Sequence, residues 1–160
     1  MLVYERLIEL LDFDPKEGVF YWKKKNVSSN GRKGNVAGSE IRGYRYLGLD
    51  GGRYLAHRVA WFYVYKVWPQ YLLDHVDGDG LNNKISNLRD VPPTVNSQNM
   101  RWAHRDSQTG LLGVRLMGSR WQARIRVWGK EMYLGTFGTP EEAHEAYLTA
   151  KRRMHEGNTL

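Results

Sequence analysis

Residues 72–99 read LLDHVDGDGLNNKISNLRDVPPTVNSQN, and this stretch decides the fold expected for the chain. A short apolar run ends in Asp74 and His75, an acidic glycine-bearing turn follows, and NLRDV forms a second extended run. Two prolines then stand where prolines are tolerated, at the start of a helix. The order strand, loop, strand, helix is therefore predicted for residues 71–103.

The pair Asp74–His75 suggests chemistry at the end of the first of these strands. Successive side chains of a strand point to opposite faces, so one can bind a cation while the other faces water or substrate. Asn96, on the predicted helix, could return to Asp74 and add an amide oxygen to the carboxylate. Hard oxygen ligands of this kind suit Mg²⁺ or Mn²⁺. His75 is then available as a general base near neutral pH.

Residues 71–99 resemble the HNH endonucleases, whose core is the ββα-metal finger, and in particular the homing endonucleases of phages and introns. The motif of that family runs roughly D-H-x-x-G-D, N-x-I-x-N-L-R and N-x-x-N. An isolated Asp-His pair would more often cap a surface turn, but a gapped match of this length favours the nuclease. The matching positions are Asp74, His75, Gly78, Asp79, Asn83, Ile85, Asn87, Leu88, Arg89, Asn96 and Asn99.

The resemblance implies a role for several matched residues. His75 matches the general base, and Asp74 and Asn96 match the metal ligands. Asn87 matches the asparagine that braces the loop and orients the histidine backbone, and Asn99 matches a second helix asparagine that supports the site. Many family members have a histidine in the place of Asn96. An amide there favours Mg²⁺ or Mn²⁺ over Zn²⁺ or Ni²⁺, since imidazole is the softer ligand.

The charge of the chain is unevenly distributed. The net charge is +7 over 160 residues, made up of +5 in residues 1–66, −2 in 67–96 and +4 in 97–160. Basic flanks suit a polyanion such as nucleic acid, and an acidic spot between them suits a bound cation. A basic protein with a solvated acidic loop would explain the same charges. The chain has no cysteine, which excludes disulfides and thiolate metal sites, and no apolar run long enough to cross a membrane.

The last third of the sequence predicts a small sheet followed by a helix. Residues 139–157 begin with a threonine, a proline and, at the third helical position, a glutamate, which is a capping box. Polar and apolar side chains alternate along residues 120–128, as in a strand with one buried face. The apolar face of that strand consists of Trp121, Ala123, Ile125 and Val127.

Residues 109–157 resemble the AP2 DNA-binding domain through GLLGVR, RWQARIR, YLGTF and TPEEAHEAY. The resemblance implies a three-stranded antiparallel sheet packed on one helix, with the sheet in the major groove, which admits a β-ribbon. It also implies that Arg115 and Arg126 contact DNA. Arg120 and Arg124 are added from charge and strand alternation, and the predicted DNA-binding set is completed by Trp128 and Arg89. The sequence preference of plant members does not carry over, because the pattern is broken at Leu112, Glu131 and Tyr133.

The sequence thus predicts an α+β fold. An HNH domain at 1–103 has its ββα-metal core at about 70–103, and it is followed by a linker at 104–108 and the AP2-like domain at 109–157. The helix and β-hairpin elements expected before the core are a helix at 1–12, a strand at 19–22, a polar loop at 26–35, a hairpin turning at 50–52 and a helix from Ala56 closed by Pro69.

The predicted function is hydrolysis of phosphodiester bonds in double-stranded DNA with one divalent cation, Mg²⁺ or Mn²⁺. A single finger holds a single active site, so the enzyme is expected to nick DNA as a monomer, or to form a weak dimer. The protein is expected to be encoded by a phage and to act in the cytoplasm of the bacterial host, with no membrane partner. Two alternatives stay open: a DNA-binding regulator with an inactive nuclease fold, and an RNA-directed nuclease.

Overall fold

The computed structural model describes residues 2–23, 34–103, 105, 107–155 and 157–159. The chain divides into two compact units, Met1–Pro92 and Pro93–Leu160. The polar loop predicted at 26–35 falls mostly outside the described residues, as does part of the predicted linker. Across the described ranges, no helix has both the length and the apolar character needed to span a bilayer.

The described residues of the first unit form two α-helices and three small antiparallel sheets. The elements in chain order are α1 (Tyr4–Leu10), β1 (Leu11–Asp14), β2 (Val19–Trp22), β3 (Ser39–Ile41), β4 (Tyr44–Leu49), β5 (Gly52–Leu55), α2 (Ala56–Tyr65), β6 (Leu72–His75), a 3₁₀ turn (Ile85–Asn87) and β7 (Leu88–Val91). β1 pairs with β2, and β6 pairs with β7. The three strands β3, β4 and β5 form a meander.

The core of the first unit holds its short elements together. α1 packs on α2, and α2 packs on β4 and β5. Fully buried side chains come from α1, β2, β4 and α2, among them Leu7, Phe20, Leu47 and Val59. Each such burial contributes about 1.5–3 kcal/mol. A helix as short as α1, with 7 residues, is not stable alone in water, so this packing is what maintains it.

The first helix is shorter than the sequence predicts. It begins at Tyr4 and ends at Leu10, and Leu11–Asp14 form a strand that pairs with β2, so the helix prediction was wrong for residues 2, 3, 11 and 12. Leu11 and Phe13 are buried while Asp12 is exposed, which is the two-residue period of a strand. Pairing with the strand at 19–22, which was predicted correctly, outweighs the helical periodicity of the preceding residues.

The predicted hairpin at residues 50–52 is confirmed. β4 and β5 are joined by Asp50 and Gly51, with φ of 47° and 79°, as in the type I′ turn that suits twisted strands. Arg6 donates to both carboxylate oxygens of Asp50, from Nε over 2.8 Å and from Nη2 over 2.9 Å. The helix that follows ends at Tyr65, ahead of Pro69, because Lys66 takes the left-handed conformation with φ of 61°.

The second unit carries one sheet covered by one long helix. Its elements are α3 (Pro93–Gln98), β8 (Val114–Met117), β9 (Arg120–Val127), β10 (Lys130–Phe137) and α4 (Pro140–Met154). The antiparallel order is β10-β9-β8, and α4 packs on all three strands. Ala123 and Ile125 are buried, as the alternation predicts, and the capping box at Thr139 and Glu142 is present.

The helix α3 is shorter than the predicted one. It stops at Gln98, and the Asn99 amide donates to the Asn96 carbonyl over 3.1 Å, a tighter turn than that of an α-helix. Gln98 is then engaged by the end of the chain, since its Oε1 accepts from the Gly157 amide over 3.0 Å. These contacts, which the local pattern does not encode, explain why residues 99–103 are not helical.

Candidate functional site

The β6–β7 hairpin places the two central residues of the predicted site. Asp74 pairs with Arg89 across the strands and His75 pairs with Leu88. Both Asp74 and His75 are buried, with 7% and 6% of their surface exposed. A carboxylate and an imidazole therefore occupy consecutive positions at the end of a strand, and both are largely withdrawn from water.

Arg89 is the ionic partner of Asp74. Its Nε and Nη2 both donate to Asp74 Oδ2, over 2.8 and 2.6 Å. A buried carboxylate requires such a partner, because an unpaired ion in the interior is costly. The predicted DNA contact of Arg89 stays a prediction, and the structure adds a second task for this residue, which is to hold Asp74.

Asn83 is the residue that contacts His75. Its Oδ1 lies 3.2 Å from Nε2 of His75, and the asparagine is 1% exposed. Asn83 belongs to the motif match, yet the sequence assigned it no role. The sequence signal that could have identified this contact is that Asn83 follows an acidic, glycine-bearing turn and lies eight residues after His75.

Asn87 ties together the loop that connects the two strands. Its Nδ2 donates to Asp77 Oδ1 over 2.9 Å and to the Asn82 carbonyl over 2.8 Å, and its Oδ1 accepts from the Asp77 amide over 3.1 Å. Burial acts to raise the pKa of Asp77, but hydrogen bonds from the Asp79 backbone and from the amides of Asn82 and Asn87 outweigh it and lower that pKa. The loop is thus built around a stable carboxylate ion, and Asn87 braces it.

His57, on α2, packs its ring against that of His75. The ring centroids are 4.9 Å apart in a T-shaped arrangement, and His57 is 6% exposed. Burial lowers the pKa of His57 to about 4, helped by the charges of His75 and Arg58. His57 is therefore neutral near pH 7 and gives His75 an uncharged neighbour. His57 lies outside the matched motif positions, and its sequence context alone indicates a structural role or a phosphate contact.

The two helix asparagines of the predicted site belong to the second unit. Asn96 is half-buried on α3, and its carbonyl accepts from the Asn99 amide. Asn99 is buried, and its Oδ1 accepts from the hydroxyl of Thr159. The predicted meeting of Asp74 with Asn96 joins residues of different units and stays a prediction, as do the assigned roles of both asparagines.

The donor set suits a hard cation. Within the described part of the chain, no three His, Asp or Glu side chains gather in a way that could hold a metal ion. A cation at Asp74 would therefore take its other ligands from an amide oxygen, water or phosphate. Mg²⁺ and Mn²⁺ accept such a set, since they keep several waters and prefer oxygen.

The open face of the second unit's sheet carries several of the predicted DNA-binding side chains. Arg115 pairs with Gln122 across β8 and β9, and Arg126 pairs with Glu131 across β9 and β10. Arg124 stands between them and is already engaged, since Nη1 bonds to Glu131 Oε2 over 2.6 Å and Nη2 to Gln122 Oε1 over 3.0 Å. Arg124, one of the predicted DNA contacts, is thus already paired with the carboxylate of Glu131.

The other predicted contacts of this unit are accessible. Arg115, Arg120 and Arg126 are exposed. Trp128, in the turn after β9, is 67% exposed and has a φ of 51°. Large exposed aromatic and basic side chains together are typical of surfaces that bind nucleic acid.

The strand-end Asp-His pair, the braced loop and the β6–β7 hairpin all lie in the segment of the chain that is similar to HNH endonucleases. Residues 54–104 match the HNH endonuclease family model, which covers β6, β7 and α3. The HNH family implies a nuclease that acts on DNA, and its members generally use a divalent metal ion.

More particularly, the chain belongs to the same family as Protein 3.8 of Escherichia phage T7, with 35% identity over 87 residues that make up 53% of this chain and 70% of that protein. It is also 36% identical over 61 residues to YosQ, an SPbeta prophage-derived protein of Bacillus subtilis named as an HNH homing endonuclease. That match covers 38% of this chain and 35% of YosQ.

A third similarity is to a plant protein. The AP2-like ethylene-responsive transcription factor ANT of Arabidopsis thaliana is 58% identical over 43 residues, which are 26% of this chain and 8% of that factor. The chain thus spans only a small part of the plant factor and about a third of YosQ. No solved structure matches the chain.

Proposed function

We propose that this chain is a metal-dependent DNA endonuclease that nicks one strand of a duplex as a monomer. The observation that supports it best is the adjacent, buried pair of Asp74 and His75 at the end of β6, within the segment that matches HNH endonucleases. One such pair serves one phosphodiester at a time. Cleavage of both strands then needs a weak dimer or two successive binding events.

His75 acts as the general base in this proposal. Its imidazole takes a proton from a water molecule, and the oxygen of that water attacks the phosphorus atom. The bond from phosphorus to the 3′-oxygen breaks as the new bond forms, and the leaving oxygen gains a proton from solvent. The products are a 5′-phosphate and a 3′-hydroxyl. A well-placed general base contributes about 10²–10⁴-fold to the rate.

Asp74 and Asn96 would hold the divalent cation, Mg²⁺ or Mn²⁺. When bound, the cation neutralises charge on the phosphate and stabilises the leaving 3′-oxygen. Arg89 orients the Asp74 carboxylate, and Asn87 keeps the loop next to His75 in shape. Asn99 supports the segment after α3 through its contact with Thr159.

The sheet of the second unit supplies DNA affinity, in the manner of an AP2-like domain. Arg115, Arg120 and Arg126 neutralise phosphates or contact base edges, and Trp128 adds an exposed aromatic surface. Arg124 contributes to DNA binding while it stays paired with Glu131. In the first unit, Arg89 contributes to DNA binding while it stays paired with Asp74.

A plasmid assay tests the proposal. Supercoiled plasmid is incubated with the wild type, with His75→Ala and with His144→Gln, in Mg²⁺ or Mn²⁺ and with or without EDTA. His144 in the second unit bonds to the Leu112 carbonyl, and glutamine keeps a donor for that contact. We expect relaxed circles from the wild type and the control, and none from His75→Ala or after EDTA.

Two results would replace the proposal with another function. If the protein lowers the gel mobility of the plasmid but does not relax it in either Mg²⁺ or Mn²⁺, the chain is a DNA-binding regulator. Cleavage of a labelled RNA strand but not of the plasmid would indicate an RNA-directed nuclease. Equal relaxation by the wild type and His75→Ala would remove His75 from the mechanism.

A further inference from the structure

The second unit contains a cavity that the proposed duplex contact leaves unused. Its volume is about 570 Å³, within the range of about 300–1,000 Å³ that is usual for sites of small ligands. The turn between β9 and β10 forms one wall, α3 forms another, and α4 with its C-terminal end forms the third. Aromatic, hydroxyl and amide side chains line it, and none of the lining residues that the structure describes is acidic.

Trp128, in the wall between β9 and β10, stands where the turn disfavours it. The φ angles of Trp128 and Gly129 are 51° and 79°, as in a type I′ turn, whose first position usually holds asparagine, aspartate or glycine. A bulky side chain in that conformation strains the backbone. The indole is also 67% exposed, so burial does not offset the strain. Strained residues of this kind cluster at sites that bind ligands.

Hydrogen bonds hold the three walls in place. Nε2 of His155, at the end of α4, donates to the Arg126 carbonyl of β9 over 2.9 Å. Oε1 of Gln98, on α3, accepts from the Gly157 amide over 3.0 Å. A Cβ on Gly157 would lie 2.3 Å from the Val95 carbonyl oxygen, so the backbone after α4 packs closely on α3. A cavity built in this way is formed before any ligand arrives, which reduces the entropy lost on binding.

We propose that this cavity binds one unpaired nucleotide of DNA, with its base stacked on the indole of Trp128. An aromatic ring accepts the face of any base. On the opposite wall, the exposed hydroxyl of Thr94 can donate to or accept from the edge of the base. The Ser97 oxygen accepts from that edge, because its hydrogen is engaged by the Thr94 carbonyl over 2.8 Å.

The position of Arg126 connects the cavity with DNA rather than with another kind of ligand. Arg126 lines the cavity and is also one of the exposed arginines proposed to bind the duplex, so a nucleotide next to the bound duplex would have its phosphate near a cation. A base inside the duplex stack cannot enter a pocket, so the nucleotide has to be extrahelical. The inference rests on the proposed binding of DNA by this unit and does not depend on cleavage.

Fluorescence anisotropy in EDTA tests the inference with the full chain. Three labelled duplexes share one sequence and differ only at the centre: one is fully paired, one carries an unpaired thymidine, and one carries an unpaired abasic site. Trp128→Asn removes the ring and places a residue that the turn favours, so it should fold. Thr94→Phe fills the cavity from the opposite wall and keeps Trp128. The matched control is Trp102→Ala, which removes an indole that is 81% exposed in the same unit and does not line the cavity.

We expect the wild type and Trp102→Ala to bind the duplex with the unpaired thymidine about tenfold to a hundredfold more tightly than the other two, as for one base stacked on an aromatic ring. The abasic duplex shares the distorted backbone, so the difference reports the base. Trp128→Asn and Thr94→Phe should lose this preference. Equal affinity of the wild type for all three duplexes, or a preference that persists in either cavity variant, would overturn the inference.

Photocrosslinking locates the bound base. The unpaired thymidine is replaced by 5-iododeoxyuridine, the complex is irradiated, and the modified residue is identified by mass spectrometry. We expect the adduct on Trp128 or Tyr147, the two aromatic residues that line the cavity. Adducts only at residues outside the cavity would overturn the inference. The proposed nuclease function fails separately: a chain that never nicks can still prefer the unpaired base, and a chain that nicks without this preference refutes the inference alone.

Discussion

Arg89 directs two nitrogen atoms at one oxygen of Asp74, over 2.8 Å from Nε and 2.6 Å from Nη2. The side chain of Asp74 is 9% exposed and that of Arg89 is 25% exposed. The carboxylate expected to bind a cation is therefore stabilised by a protein cation beforehand. Any metal ion at this position shares Asp74 with Arg89.

Replacing Arg89 by glutamine should destabilise the metal-free protein by about 3 kcal/mol, because a buried carboxylate loses its ionic partner. Mg²⁺ or Mn²⁺ should then raise the melting temperature of Arg89→Gln more than that of the wild type, since the added cation compensates the same charge. Thermal unfolding with and without metal measures both effects. Arg42→Gln, at an exposed arginine, is the control. An equal response to metal in both proteins would contradict this account of the site.

The lowered pKa of His57 should make the free energy of unfolding depend on pH. Burial, together with the charges of His75 and Arg58, lowers its pKa from 6.5 to about 4. Between these two values the unfolded chain binds a proton that the folded protein does not, so the free energy of unfolding falls as the pH is lowered. The loss amounts to about 3 kcal/mol and is complete near pH 4.

The variant His57→Phe should lack this part of the acid sensitivity, because a phenyl ring preserves the aromatic contact and does not titrate. Denaturant unfolding at about pH 7.5 and about pH 4.5 compares the two proteins. We expect the difference in free energy between the two pH values to be smaller in His57→Phe by about 2.5 kcal/mol. If both proteins lose the same stability, His57 does not titrate as the structure indicates.

Glu131 should limit the affinity of the sheet for DNA. It binds Arg124 over 2.6 Å on the face where Arg115 and Arg126 are exposed. Glu131→Gln should raise the affinity for a random duplex several-fold and steepen the salt dependence by about one unit, as for one added phosphate contact. Fluorescence anisotropy over a salt series measures this. Glu145→Gln, on α4, makes the same charge change and should leave the slope unaltered; equal shifts in both variants would mean that net charge alone is responsible.

Gly113 should be far less replaceable than Gly118, although both have a positive φ, of 72° and 62°. A Cβ on Gly113 would lie 2.0 Å from the buried ring of Tyr147, whereas the space beside Gly118 is open. Gly118→Ala should cost about 1 kcal/mol for its left-handed backbone. Gly113→Ala should cost about 3 kcal/mol, because overpacking adds to that strain. Denaturant unfolding measures the loss of stability in each variant. Similar losses in the two variants would show that the Tyr147 ring moves aside at little cost.

The sequence predicted those parts of the fold that depend on neighbours in the chain. The turn at Asp50 and Gly51, the alternation that buries Ala123 and Ile125, and the capping box of Thr139 are all local, and all occur. Residues 11 and 12 were predicted to be helical because the apolar spacing fits a helix. They form a strand instead, because they pair with the strand at 19–22.

The contacts within the candidate site could be predicted only in part. The adjacency of Asp74 and His75 is visible in the sequence, and so is their place at the end of a strand. The pairing of Asp74 with Arg89 depends on the strand register, which the loop length between them does not determine. The approach of Asn83 to His75 depends on the conformation of a twelve-residue connection, for which sequence patterns offer no rule.

The turn that contains Pro15 and Gly18 forms a buttress against the loop between β6 and β7: the Pro15 carbonyl accepts from the Ile85 amide over 3.2 Å, and a Cβ on Gly18 would lie 2.3 Å from the Lys84 nitrogen. This buttress matters to anyone who trims the protein for fusion to another DNA-targeting module. The HNH match begins only at residue 54, so an excised piece of 54–104 would leave that buttress behind. Such a fragment would retain every residue of the HNH motif match and still lose the backbone contacts that support the loop between β6 and β7. Donor fragments should therefore start upstream of the first hairpin.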